Sequence, residues 1–173
     1  MRQLANTDRI RRFMHGLGRE ADAEGACYLT GGATAVLLGW RASTIDIDVK
    51  LVPESDGLLR AIQRLKDELQ VNVELASPSD FIPVPGGWEE RSVFIAREGR
   101  LSFLHFDPYA QALSKLERAH AQDLEDVRAM VERGLIDPDR ARSLFQEVEP
   151  ELYRFPAIDP GAFRRRVEEA FTQ

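Results

Sequence analysis

The sequence predicts an α/β (α+β) protein: a mixed sheet with flanking helices, followed by a C-terminal helical tail. Three observations predict it. Helical and strand-like periods alternate through the first part of the chain. A hairpin signal follows at Glu98-Gly99-Arg100. From Pro108 onward every periodic stretch is helical.

Taken in order, residues 6–23 place Ile10, Phe13, Met14 and Leu17 on one helical stripe, with Asn6 or Thr7 to cap it and Gly25 to end it. Residues 26–30 are a short apolar run, read as a buried strand. Gly31-Gly32 breaks the chain, and 33–38 supply a short apolar helix before the turn at 39–43. Residues 44–51 alternate strictly, with Ile45, Ile47 and Val49 on one side and Thr44, Asp46, Asp48 and Lys50 on the other. An amphipathic helix over 56–70 buries Leu58, Leu59, Ile62, Leu65 and Leu69. Residues 71–75 alternate again, with Asn72 and Glu74 on the polar side. The stretch 77–90 holds three prolines and two glycines and reads as irregular. Strands over 92–97 and 101–106 form the hairpin. Helices over 108–121, 123–133, 138–148 and 160 to the end follow, punctuated by Gly134 and Asp-Pro pairs at 137–138 and 159–160. The expected organisation is a core over 1–107 with a helical region over 108–173 packed on it.

The bulk properties exclude several classes. At 173 residues the chain buries one substantial core plus an appendage more readily than two full domains. No run approaches the roughly 20 apolar residues of a membrane span. The opening, with Arg2, Arg9, Arg11 and Arg12, lacks the continuous apolar stretch of a secretory signal. A cytoplasmic protein without a membrane partner is expected. Cys27 is the single cysteine, so no internal disulfide forms, and its apolar neighbours mark a buried thiol. The net charge of −6, from 23 basic and 29 acidic residues, excludes a general polyanion binder. Arg9, Arg11 and Arg12, and Arg164, Arg165 and Arg166, have acidic neighbours on helices and read as solvated faces.

Asp46-Ile47-Asp48 carries the chemistry. Two carboxylates two apart on a strand share a face, about 7 Å apart at the backbone, and can converge on one cation. The plain alternative is an acidic outer face, to which Lys50 would belong. Gly31-Gly32 follows a strand and precedes a helix, so free backbone amides and missing side chains let an anionic oxygen approach. Its plain alternative is a tight turn. In combination, the two features set a phosphate cradle beside a metal site.

Residues 28–33 (Tyr-Leu-Thr-Gly-Gly-Ala), followed by 41–49 (Arg-Ala-Ser-Thr-Ile-Asp-Ile-Asp-Val), resemble the signature of the DNA polymerase β-type nucleotidyltransferase superfamily. The Gly-Gly-Ala and Arg-x-x-Thr-x-Asp-x-Asp forms are most similar to small prokaryotic members, including AbiEii/MenT-type toxins. Lys115 to Arg118 and Asp123 to Val127 are similar to the lysine and Asp-x-x-Asp helical motif of that group. The resemblance implies Mg²⁺ or Mn²⁺ on Asp46 and Asp48, and transfer of a nucleoside monophosphate from a nucleoside triphosphate. It implies triphosphate contacts from Gly31 and Gly32 and a phosphate contact from Lys115, beside which Thr30, Arg41, Thr44 and Asp126 are further nucleotide-binding candidates. It also implies a third carboxylate on a following strand, taken as Glu74, with Asp107 the alternative.

Plain roles stand beside these. Arg41 braces Asp46 or meets phosphate, and Asp126 is structural or part of the site. Asp123 caps a helix, and Trp88 and Phe81 pin the irregular loop or cover a base. His15, His105 and His120 read as ordinary. Transfer RNA, a protein hydroxyl and a small molecule such as an aminoglycoside are all open as acceptor. A catalytically inactive module that binds nucleotide or a cognate partner protein is the alternative function.

Overall fold

The computed structural model describes residues 2–172, which divide into two compact units. One takes in the chain up to Ser77 together with Val93–His105; the other takes in Pro78–Ser92 and everything from Phe106.

The sheet unit opens with α1 (Thr7–Glu20), whose first turn is closed by Asn6 Oδ1 accepting from the Arg9 amide at 2.9 Å. Then come β1 (Gly25–Thr30), α2 (Gly32–Leu38), β2 (Asp46–Val52), α3 (Asp56–Leu69) and β3 (Asn72–Leu75). The hairpin of β4 (Val93–Glu98) and β5 (Leu101–His105) completes the unit. The five strands lie in the order β3-β2-β1-β5-β4. β1 runs antiparallel to β2 and parallel to β5, β2 is parallel to β3, and β4 is antiparallel to β5. The sheet is mixed, as the sequence predicts.

Register divides the sheet cleanly into two faces. Cys27 faces Leu51 and Phe103, Leu29 faces Val49, and Ile47 faces Val73. All are buried and form one core with Ile10, Phe13, Met14 and Leu17 of α1 and Leu58, Ala61, Ile62 and Leu65 of α3. Full burial of each large apolar side chain is worth about 1.5–3 kcal/mol. That hydrophobic stripe fixes which way β2 faces, so Asp46, Asp48 and Lys50 are turned away from the core.

The helical unit holds α4 (Trp88–Arg91), α5 (Pro108–Arg118), α6 (Ala121–Glu132), α7 (Pro138–Val148) and α8 (Pro160–Phe171). Three of these begin at Asp-Pro pairs. Asp107, Asp137 and Asp159 accept the amides of Tyr109, Arg140 and Ala162, while the following proline has no amide to leave unsatisfied. Phe145 and Phe163 meet edge to face at 4.9 Å in its core.

The elements differ from the sequence reading in several places, among them α5, which ends at Arg118, and α6, which begins at Ala121 behind a His120 cap. α1 stops at Glu20, and β2 starts at Asp46 because Thr44 instead bridges to Ala5. The stretch read as irregular contains a 3-10 turn at Pro78–Asp80 and the short α4. Finally, a second 3-10 segment, Glu149–Arg154, continues α7.

Candidate active site

In the sheet unit, the carboxylate face is built by two ladder registers. Parallel pairing sets Asp48 beside Glu74 and Asp46 beside Asn72. Among the described residues, Asp46, Asp48 and Glu74 each offer a carboxylate oxygen within 4.8 Å of the others. The two aspartates are half-buried and Glu74 is exposed. Asn72 Nδ2 donates to Asp46 Oδ1 and lies 3.4 Å from Glu74 Oε1. The amide thus ties two of the acids together. The sequence places Asn72 on the right side of its strand, but its partners depend on the β2–β3 register.

Antiparallel pairing sets Thr30 opposite Asp48, so the turn that continues β1 begins beside the acids. Gly31 has φ +64° and ψ −131°, a conformation natural only to glycine. A Cβ there would sit 3.0 Å from Asp48 Oδ2. A Cβ on Gly32 would lie 2.0 Å from Thr44 Oγ1 and 3.1 Å from Arg41 Nη1. Both glycines are needed for close approach, at one to the Asp48 carboxylate and at the other to the Arg41–Thr44 corner. Thr44 Oγ1 donates to the Asp46 carbonyl at 3.1 Å and so joins that corner to β2. Thr30, Gly31, Gly32, Arg41, Thr44, Asp46, Asp48 and Glu74 therefore all gather in one unit.

Three carboxylates this close, two of them half-buried, repel one another unless a cation or donor intervenes. All-oxygen donors suit Mg²⁺ or Mn²⁺ rather than a soft metal. The fit to a divalent cation is good.

Lys115 and Asp126 fall in the helical unit. Lys115 Nζ lies 2.8 Å from Asp126 Oδ2 and 3.8 Å from Asp123 Oδ1, with all three side chains buried. α5 ends at Arg118 with Ala119 left-handed behind it (φ +56°), so the pair closes a corner between two helices. Asp123 also accepts from Arg118 and from the His120 amide. Burial acts to raise its pKa, but the Arg118 bond and charge and the nearby Lys115 outweigh it and hold the carboxyl below its usual range.

Asp107, weighed as a third ligand, also belongs to the helical unit. It is fully buried, caps α5 and accepts Arg91 at 2.8–2.9 Å. Burial pushes its carboxyl up against the opposing pull of Arg91. Trp88 stacks flat on Phe106 at 4.5 Å, while Phe81 is 51% exposed. In the sheet unit, burial and the charge of Arg11 push His105 down to about 4, and its ring nitrogen meets Thr34 Oγ1 at 3.0 Å.

A mixed sheet with an acid-x-acid strand beside a strand–Gly-Gly–helix turn defines the class: this is a nucleotidyltransferase-type fold. Within that class, the chain belongs to the family described as "Nucleotidyltransferase of unknown function (DUF6036)", which matches residues 8–157. No curated protein and no solved structure matches the chain significantly. Among the described residues, no helix is long and apolar enough to cross a membrane.

Proposed function

We propose that this chain transfers a nucleoside monophosphate from a nucleoside triphosphate to an acceptor hydroxyl, with Mg²⁺ or Mn²⁺ held by Asp46, Asp48 and Glu74. The observation that carries the reading is that three carboxylates within 4.8 Å of one another adjoin a side-chain-free turn. A divalent cation held there would neutralise the triphosphate and polarise its α-phosphate.

The chain's own part is positioning. The Gly31 and Gly32 amides hold phosphate oxygens, with Thr30, Arg41 and Thr44 around them. Lys115 is held by Asp126 in the helical unit and takes a structural role there. The acceptor oxygen forms a bond to the α-phosphorus as the α–β bridge breaks. Pyrophosphate leaves with the bonding pair, and the acceptor's proton passes to solvent.

Asp46→Asn or Asp48→Asn is expected to abolish metal-dependent pyrophosphate release and to leave the circular dichroism spectrum unchanged. Full activity in either variant would remove the metal assignment. A second reading, favoured by the exposure of Glu74, is a silent module that binds nucleotide or a cognate partner protein, as in toxin–antitoxin pairs. Its mark is thermal stabilisation by triphosphate and Mg²⁺ with no pyrophosphate released.

A further inference from the structure

The carboxylate face of β2 does not end at Asp48. Lys50 is next on that face, and register sets it opposite Tyr28, as Asp48 is set opposite Thr30. Its side chain is half-buried, and among the described residues no carboxylate or carbonyl pairs with its ammonium. Its neighbours across the row are Tyr28, Leu104 and Phe94, none of them charged. A half-buried lysine that forms no ion pair within the chain, next along the face from the carboxylates, can meet an anion from outside the chain.

Direction along the strand says which anion. β1 and β2 are antiparallel, so the Gly31-Gly32 turn lies toward the Asp46 end of the cluster, where Gly32 abuts Thr44. Lys50 lies on the other side of Asp48, about 7 Å along the strand. A triphosphate on the turn, with its α-phosphate at the carboxylates, sends its leaving pyrophosphate toward the turn. In-line displacement then brings the attacking oxygen from the opposite side, where Lys50 stands.

We propose that Lys50 binds a phosphate group of the acceptor, so that the acceptor is a hydroxyl compound carrying a phosphate close to that hydroxyl. The assignment rests on the triphosphate placement proposed above. A polycationic acceptor such as an aminoglycoside is repelled at this position. Both a phosphate monoester and the diester of a short oligoribonucleotide satisfy the chemistry.

The test loads the full chain, in excess, with Mn²⁺ and a non-hydrolysable triphosphate, then follows ³¹P line broadening of two probes, glycerol 3-phosphate and the diester UpU. Broadening of either probe is expected in the native protein. It should fall at least about fivefold in Lys50→Met and return in Lys50→Arg. Broadening of the first probe alone identifies a monoester acceptor; broadening of UpU identifies a nucleic-acid end. No broadening in the native protein, or none lost in Lys50→Met, overturns the proposal. So does weaker triphosphate binding in Lys50→Met with the probes unaffected, which assigns the lysine to the donor. Asp48→Asn separates the two levels. If it loses Mn²⁺–triphosphate binding while Lys50→Met changes nothing, the site reading stands and the Lys50 assignment falls. If it keeps that binding, the site reading falls and takes the Lys50 assignment with it.

Discussion

At Asn72 one side-chain amide serves two acids, which makes it a positioning residue for the metal site proposed above. It donates to Asp46 and reaches toward Glu74, which restrains both carboxylates and offsets part of their mutual repulsion. Removing such an outer donor commonly lowers metal affinity about 10–100-fold. Asn72→Ala is therefore expected to weaken Mn²⁺ binding, read by calorimetry, about tenfold or more, with the melting temperature little changed. An unaltered Mn²⁺ affinity would show that the amide merely decorates the edge strand. The residues of the site were legible to different depths. Asp46, Asp48 and the two glycines stand out because their spacing alone sets face and turn. Glu74 is readable as a polar-face acid, but its approach to Asp48 comes from parallel pairing of β2 with β3, a long-range choice no local pattern encodes. Asn72 stayed hidden for the same reason.

Among the elements, the corner between α5 and α6 is held by ionic groups buried in a largely apolar unit. Lys115 is almost enclosed, with Asp126 against it and Asp123 nearby. Taking away the cation leaves Asp126 charged and unsolvated, a change that usually costs about 3–5 kcal/mol. Lys115→Met should lower unfolding stability by that order in urea titrations, and Lys115→Met/Asp126→Leu should recover most of it. A loss below about 1 kcal/mol in the single variant would mean the corner does not depend on the pair. Helix starts were readable because their chemistry is local: an aspartate side chain accepts, and a proline follows it. Helix ends were not. α5 stops at Ala119 in a left-handed conformation that alanine does not announce. The short α4 is hidden in the proline-rich stretch, where a stacked Trp88–Phe106 pair and Arg91 bonded to two backbone carbonyls give it an anchor.

For the whole molecule, the fold class was legible because alternation of period and the late cluster of helices are properties of the entire chain. Its acid sensitivity was not, since that depends on burial. His105 ends β5 beneath the sheet face opposite the acids, bonded to Thr34 and nearly without solvent access. Burial first, then Arg11, bring its pKa to about 4 in the folded state, against about 6.5 when unfolded. The unfolded chain therefore takes up a proton that the folded chain refuses. Stability should fall as pH drops from about 6.5 to about 4, by about 3 kcal/mol in all, and this contribution should level off below that window. Asp123 acts lower: its depressed pKa gives stability present above about 4 and lost as pH falls through its folded value. Urea midpoints at pH 7, 5.5 and 4.5 should decline steadily in the native protein and much less in His105→Gln, whose amide can still meet Thr34. Parallel declines in the two proteins would assign the acid sensitivity to carboxylates rather than to the imidazole.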